Sequence, residues 1–175
     1  MKTKLLSLFN LAITLLLVYW NYLSNTGIIN GKTIGDLSNK YNSLFTPAGY
    51  AFAIWGIIFL GLISFACFSV YLAFKKQNKF HHVGKAIPFV IVANLLNGAW
   101  VYLWLTENIL GSVVCMVLIF LSLLKVIIEL RMEIWDAPLK IISLVWWPID
   151  LYSGWIMVAL VANIAAYLNS IGFSL

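Results

Sequence analysis

Five long apolar runs follow one another along the chain, and short polar segments separate them. The runs lie near Leu5–Leu23, Ala48–Phe74, Ala86–Leu105, Ile109–Leu130 and Ile141–Leu168. A helix needs about 20 residues to cross a hydrocarbon core of roughly 30 Å, so each run is long enough to span a bilayer. The pattern predicts an all-α integral membrane protein, with a single membrane domain over residues 1–175 folded as a five-helix bundle.

Composition supports lipid as the solvent of this chain. Of its 175 residues, 63% are hydrophobic and only 10% are charged, whereas a soluble domain carries roughly 25% charged residues. So few charged side chains leave too little polar surface to face water. The length also suits one compact bundle better than two domains.

The first run has an alternative interpretation as a secretory signal peptide, because Lys2 and Lys4 precede it. A signal peptide carries small residues before its cleavage site. Here Tyr19, Trp20 and Tyr22 stand at that place, and aromatic side chains are typical of the membrane–water interface. We therefore expect a retained transmembrane helix.

The basic residues predict the orientation, because cytoplasmic loops carry an excess of lysine and arginine. With the N-terminus inside, the cytoplasmic side holds Lys2, Lys4, Lys75, Lys76, Lys79, Lys85, Arg131 and Lys140. Lys32 and Lys40 lie outside, and Lys125 falls within the fourth run. This bias places the C-terminus outside and, without an Arg- and Ser-rich leader, favours a bacterial inner (cytoplasmic) membrane. It also accounts for the net charge of +5, so we do not expect nucleic-acid binding.

The connections between the runs differ in length. The segment 24–47 is the one long polar connection, and it is either a lid over the bundle or a plain connector. The turn at Thr106–Asn108 is tight, so the third and fourth helices are expected to be antiparallel neighbours. The sequence shows no internal repeat, which gives no support to an inverted-repeat transporter.

The third run carries a candidate ligand-binding face. Asn97, Trp100 and Trp104 follow at i, i+3 and i+7, which places them on one side of a helix. Amide groups beside two indoles suit a flat, apolar ligand with polar edges. The alternative is that the asparagine only bridges two helices, as polar residues in membrane helices often do.

Two other runs also carry aromatic residues on one face. The second run, after Pro47, has Phe52, Trp55 and Phe59 on one stripe, which by itself predicts core packing. The fifth run has a face of small residues flanked by a tryptophan and an asparagine: Trp155, Ala159, Ala162, Asn163 and Ala166. Small residues let neighbouring helices approach closely, and Trp155 and Asn163 are expected to meet the third-run face across a cavity.

Asp150 is the only carboxylate well inside an apolar run, and Trp146, Trp147 and Pro148 precede it. A charged aspartate at the membrane centre costs roughly 2.5–3.5 kcal/mol on insertion scales. Either the side chain faces a wet cavity, or a kink at Pro148 places it near the inner interface. The first alternative would fit a proton-coupled transporter.

The sequence offers little for catalysis or metal binding. His81 and His82 are adjacent in a basic loop, and no Ser–His–Asp pattern is present. Cys67 and Cys115 lie singly in apolar runs without metal-ligand spacing. We therefore predict no catalytic residue, no metal site and no required cofactor.

Three short motifs carry a resemblance to a known family. They are Pro47 followed eight residues later by Trp55-Gly56, then Leu96-Asn97-Gly98-Ala99-Trp100, and finally Trp155, Ala159 and Asn163 at four-residue spacing. In this order, with five predicted helices and eight tryptophans, they resemble the tryptophan-rich sensory protein family, which includes the mitochondrial translocator protein. Ser112 stands where many members have a tryptophan.

The resemblance implies a ligand pocket inside the bundle, the first loop as its lid, and a homodimer. The ligand class it implies is a hydrophobic small molecule, a porphyrin or other haem-like tetrapyrrole. By position it makes Trp55, Asn97, Trp100, Trp155, Ala159 and Asn163 pocket residues; Phe52, Trp104 and Asp150 complete the candidate set. We expect Trp100 and Trp155 to stack on the ligand and Asn97 to bond its polar edge.

The function predicted from these residues is a membrane receptor or carrier. The alternatives are a membrane enzyme that degrades porphyrin and a proton-coupled transporter that uses Asp150.

Overall fold

The structure is a computed structural model that describes residues 2–75 and 81–173. These residues form six helices: α1 (Lys2–Ser24), α2 (Ile34–Lys40), α3 (Ile54–Phe74), α4 (His81–Leu105), α5 (Ile109–Leu130) and α6 (Leu139–Ser170). A 3₁₀ turn, Gly49–Ala53, leads into α3. All helices except α2 are long and apolar enough to cross a membrane, which confirms the five predicted spans. Lys76 and Lys79, assigned above to the cytoplasmic side, lie outside the described residues.

The five spanning helices form a ring. The order of neighbours around it is α1, α3, α6, α5 and α4, and α4 closes the ring against α1. The tight turn between α4 and α5 makes these two helices adjacent, as predicted from its length. Side chains occupy the interior of such a ring, except where the packing leaves a cavity.

The interior of the ring has two chemically different halves. One end, called here the basic end, carries Lys4, Lys75 and Arg131, and the other, the loop end, carries α2 and the α4–α5 turn. Towards the basic end, aliphatic side chains such as Val90 and Val126 are completely buried. Towards the loop end the core is rich in aromatic residues: Trp55, Trp100, Trp104, Tyr152 and Trp155. The tryptophans among the candidate ligand-binding residues therefore lie in the aromatic half.

The first connection, residues 25–48, contains a helix that the sequence reading did not predict. Thr33 caps this helix, α2, because its hydroxyl accepts a hydrogen bond from the Asp36 amide at 3.2 Å. In return the Asp36 carboxylate accepts one from the Thr33 amide at 2.8 Å, which completes a capping box. Ile34 and Leu37 are then buried against the aromatic half of the bundle.

The last span, α6, is continuous across Pro148. A π-helical turn, Ile142–Trp146, ends two residues before the proline and accommodates the missing backbone donor without breaking the helix. On the neighbouring helix α3, a Cβ atom added to Gly61 would lie 3.2 Å from Cβ and 3.3 Å from Cα of Pro148. The glycine therefore permits the close approach of α3 and α6.

Asp150 lies on the outer side of α6. It is exposed, as are Trp147 and Gly154 on the same stripe of the helix, whereas Trp155 faces the interior and is buried. Asp150 is also absent from the lining of the aromatic cavity described below. The side chain thus faces away from the ring interior.

Candidate functional site

An aromatic cavity lies at the loop end of the ring, between α3, α4, α6 and the first connection. Its lining residues are Ile34, Ser38, Tyr41, Thr46, Pro47, Phe52, Trp55, Trp100, Trp104, Trp155, Ala159, Ala162, Asn163 and Ala166. The cavity volume is about 40 Å³. A buried water needs roughly 10–15 Å³, so the cavity in this conformation holds only a few waters.

Two different aromatic walls bound the cavity. On α4, Trp100 and Trp104 stack with ring centroids 6.1 Å apart and planes inclined by 17°. Opposite them, Trp55 and Trp155 meet edge to face at 6.4 Å, and Phe52 meets Trp155 edge to face at 6.2 Å. The cavity therefore has one wall of stacked indoles and one wall of rings held edge-on.

A buried hydrogen-bond network fixes the first wall. The Trp100 Nε1 group donates to Asn163 Oδ1 at 2.8 Å, and Asn163 Nδ2 donates to Ser112 Oγ at 2.9 Å. The Ser112 hydroxyl lies 2.7 Å from the carbonyl oxygen of Ile109 and donates to it. Asn163 thus holds Trp100 in place, and Ser112 supports Asn163.

The second wall keeps an unused donor. Trp155 is 8% exposed, and its Nε1 atom has no hydrogen-bond partner among the described residues. A buried donor without a partner costs about 1–3 kcal/mol. Because Trp155 also lines the cavity, a ligand with an acceptor group could satisfy this donor.

The structure brings most of the predicted site residues together. Seven line the cavity: Phe52, Trp55, Trp100, Trp104, Trp155, Ala159 and Asn163. Asn97 does not, although it shares a helix face with Trp100, because it lies one turn closer to the basic end. There its Nδ2 atom donates to the Tyr152 hydroxyl at 3.1 Å. Asp150 is the other predicted residue outside the lining, since it faces the exterior. That the seven bind a ligand stays a prediction.

The sequence reading missed the contribution of α2. Ile34, Ser38 and Tyr41 all line the cavity, and the Trp104 Nε1 group donates to the Ile34 carbonyl oxygen at 3.2 Å. The signal that could have found this helix is the capping-box spacing of Thr33 and Asp36, together with Ile34 and Leu37 three residues apart.

A second polar cluster ties the first connection to the α4–α5 turn. The Glu107 carboxylate forms ion pairs with Lys32, at 2.5 Å, and with Lys40. The Tyr41 hydroxyl donates to the same carboxylate at 2.7 Å. The hydrogen bond from Lys32, followed by those from Lys40 and Tyr41, lowers the pKa of Glu107 from 4.5 to about 2. One carboxylate thus anchors three residues of the connection.

Replacing this anchor is expected to loosen the connection. In Glu107→Gln both ion pairs lose their charge, so amide hydrogen exchange in α2 and its flanks should become severalfold faster while the spanning helices stay protected. Exchange measured by mass spectrometry checks this. Glu129→Gln is the matched control, because it removes the Lys125 ion pair on α5 far from α2. Equal exchange in α2 for both variants would contradict the prediction.

Acid should have the same effect on the native protein. The folded-state pKa of Glu107 lies below its ordinary value, so the anchoring is complete above about pH 4.5 and is lost as the pH falls towards about 2. Exchange in α2, corrected for its intrinsic pH dependence, should rise through this range in the native protein. The rise should be smaller in Glu107→Gln, where only the capping carboxylate of Asp36, whose pKa is lowered by its hydrogen bonds to Thr33, still takes up a proton at low pH.

The fold defines an integral membrane protein, with five spanning helices around an aromatic cavity at one end. A family model described as TSPO-like protein matches residues 7–175, and the chain therefore belongs to the TSPO-like family. This match confirms the resemblance carried by the three motifs. No curated protein and no solved structure matches the chain. Among the described residues, no group of three or more His, Cys, Asp or Glu side chains could hold a metal ion.

Proposed function

We propose that the protein is a membrane receptor or carrier that binds a porphyrin-like tetrapyrrole in the aromatic cavity. The observation that carries the proposal is the unpartnered Nε1 donor of Trp155 in a cavity whose opposite wall is the stacked pair Trp100 and Trp104. A flat ring system fits against stacked indoles, and its polar edge would accept the free hydrogen bond. Membership of the TSPO-like family supports the same reading.

Binding requires the cavity to enlarge, since about 40 Å³ is far below the roughly 300–1,000 Å³ of ordinary ligand pockets. The first connection is the part proposed to move. It supplies Ile34, Tyr41 and Pro47 to the lining, and the Glu107 cluster joins it to the turn next to the cavity. In this proposal the connection is a lid, and Glu107 is its closing contact.

The distribution of charge supports the orientation proposed for the protein. The basic end carries the lysines near the start of α1 together with Lys75, Lys85 and Arg131, whereas the loop end carries Lys32 and Lys40. By the positive-inside rule the basic end faces the cytoplasm, and the cavity opens to the other side of a bacterial inner membrane. Homodimerisation stays a prediction.

A titration with protoporphyrin IX tests the proposal. Quenching of tryptophan fluorescence in the detergent-purified protein should saturate with one ligand per chain. Trp155→Phe keeps a ring but removes the Nε1 donor, and Trp100→Ala removes half of the stacked wall. Each should weaken binding about tenfold, because one good contact contributes roughly 1–1.5 kcal/mol. Trp147→Phe, on the exposed side of α6, is the control and should bind like the native protein.

The outcomes separate the candidate functions. Unchanged affinity in folded Trp155→Phe and Trp100→Ala proteins would overturn the proposed site. Loss of the porphyrin absorbance with formation of a product would indicate a degrading enzyme instead of a receptor. The outward position of Asp150 gives no support to a proton-coupled transporter with its path through the aromatic cavity.

A further inference from the structure

A second and larger cavity lies between α1 and α3, beneath the first connection. Its volume is about 570 Å³, which falls within the roughly 300–1,000 Å³ of small-molecule sites. Ile34, Phe52 and Trp55 line both this chamber and the aromatic cavity. The two spaces are therefore neighbours separated by one wall, and the chamber is the only one of the two with room for a ligand in this conformation.

The chamber is polar at one end and apolar at the other. Asn21, in the last turn of α1, and Asn25 and Thr26, directly after this helix, lie at the loop end, whereas Val18 and Phe59 lie deeper towards the bundle centre. Its lining contains no charged residue among those that the structure describes. A ligand that matches this surface has an uncharged polar head and a hydrocarbon tail.

The polar end offers both donors and acceptors, because each asparagine amide has two N–H hydrogens and uses only one of them. The Asn21 Nδ2 group donates to the Leu17 carbonyl oxygen at 3.1 Å, and the Asn25 Nδ2 group donates to the Asn21 carbonyl oxygen at 2.9 Å. The Thr26 hydroxyl donates to Leu23 at 2.7 Å. Asn21 is 5% exposed, whereas Asn25 and Thr26 are exposed. A hydroxyl, which can both donate and accept a hydrogen bond, matches this end of the chamber.

The mouth of the chamber lies on the membrane-facing surface. Gly56, on α3, is exposed, and a Cβ atom added to it would meet no atom within 4 Å. On α1, Tyr22 is 68% exposed beside the chamber. Since both helices are spanning helices, lipid reaches this opening directly, and a hydrocarbon tail can extend from the chamber into the bilayer.

From this arrangement we propose that the chamber between α1 and α3 binds an uncharged, single-chain amphiphile with a hydroxyl-bearing head, of the monoacylglycerol class. The hydroxyls bond the Oδ1 atoms of Asn21 and Asn25. The acyl chain passes Val18, Gly56 and Phe59 to the lipid. A carboxylate head is disfavoured because the described lining holds no cationic side chain to pair with it. The site is separate from the aromatic cavity and does not rest on the function proposed for it.

The test uses the purified protein and 1-monooleoylglycerol, with bound molecules counted by native mass spectrometry. We expect one molecule per chain, and binding of oleate about tenfold weaker, as one unmatched charged head implies. Gly56→Leu fills the mouth and should reduce the bound fraction about tenfold. Gly154→Leu is the matched control, because a Cβ there also meets no atom within 4 Å, but on the far side of α6.

A second variant probes the polar end. Asn21→Leu removes one polar partner of the head group and should weaken the binding of 1-monooleoylglycerol about fivefold. Equal binding by Gly56→Leu and the native protein would overturn the proposal. So would equal losses in Gly56→Leu and Gly154→Leu, or oleate binding as tightly as the monoacylglycerol. The protoporphyrin titration is a separate assay, so failure of one site leaves the other interpretable.

Discussion

Gly61→Leu is expected to destabilise the bundle by about 2 kcal/mol. The added side chain must enter a contact in which even a Cβ atom lies 3.2 Å from Pro148, and overpacking of this kind costs roughly 1–3 kcal/mol. Leucine also has a better helix propensity than glycine, which offsets at most about 1 kcal/mol. The steric term is larger because the proline ring and the π-helical turn before it cannot yield easily. Thermal unfolding in detergent measures the loss.

Two companion variants make this result interpretable. Gly61→Ala needs Pro148 to shift by only a few tenths of an ångström, so its stability should lie between the native protein and Gly61→Leu. Gly154→Leu meets open space and should unfold at or slightly above the native temperature, because only the helix-propensity gain acts there. A native-like melting temperature for Gly61→Leu would mean that α3 and α6 separate at little cost.

Asn163→Ala is expected to cost about 1–2 kcal/mol and to release Trp100. The substitution removes the acceptor of the Trp100 Nε1 group and the donor to Ser112. Hydrogen bonds between membrane helices contribute on average about 0.6 kcal/mol each, and a small cavity adds to the loss. The indole N–H resonance of Trp100 should move upfield in an NMR spectrum, because the N–H group no longer donates to the Asn163 amide oxygen.

A double-mutant cycle distinguishes a network from simple loss of volume. Ser112→Ala alone removes the far end of the network, and Asn163→Ala alone removes its centre. If the two residues act as one unit, the double variant should be less destabilised than the sum by about 0.5–1 kcal/mol. Strictly additive losses would show that Ser112 does not support Asn163 energetically.

The aromatic face of α4 illustrates how far a helical period reaches. The i, i+3, i+7 spacing correctly placed Asn97, Trp100 and Trp104 inside the bundle, and all three are buried. Spacing gives the side of a helix but not the depth at which a cavity begins. Only packing decided that Trp100 and Trp104 line the cavity while Asn97 pairs with Tyr152 below it.

The direction in which Asp150 faces could not be predicted from the local sequence. A carboxylate in an apolar run is energetically costly, which made Asp150 a candidate site residue. Which way its side chain faces depends on the rotation of α6 around its axis, and the residues that pack against α3 and α5 set this rotation. The approach of Pro148 to Gly61 turns that side of α6 inward and leaves Asp150 on the outside. Contacts between residues far apart in sequence set this rotation, so no local pattern contained it.

The sequence by itself determined the five spans, their apolar character and the family, because hydrophobic length and short motifs are local properties of the chain. The tertiary structure decided the closed aromatic cavity, the anchoring of α2 by Glu107 and the chamber between α1 and α3. Each of these depends on side chains from several helices meeting in space. Asn21 and Asn25 are polar residues at the end of the first run, but only the packing of α3 against α1 makes them line one space with Gly56.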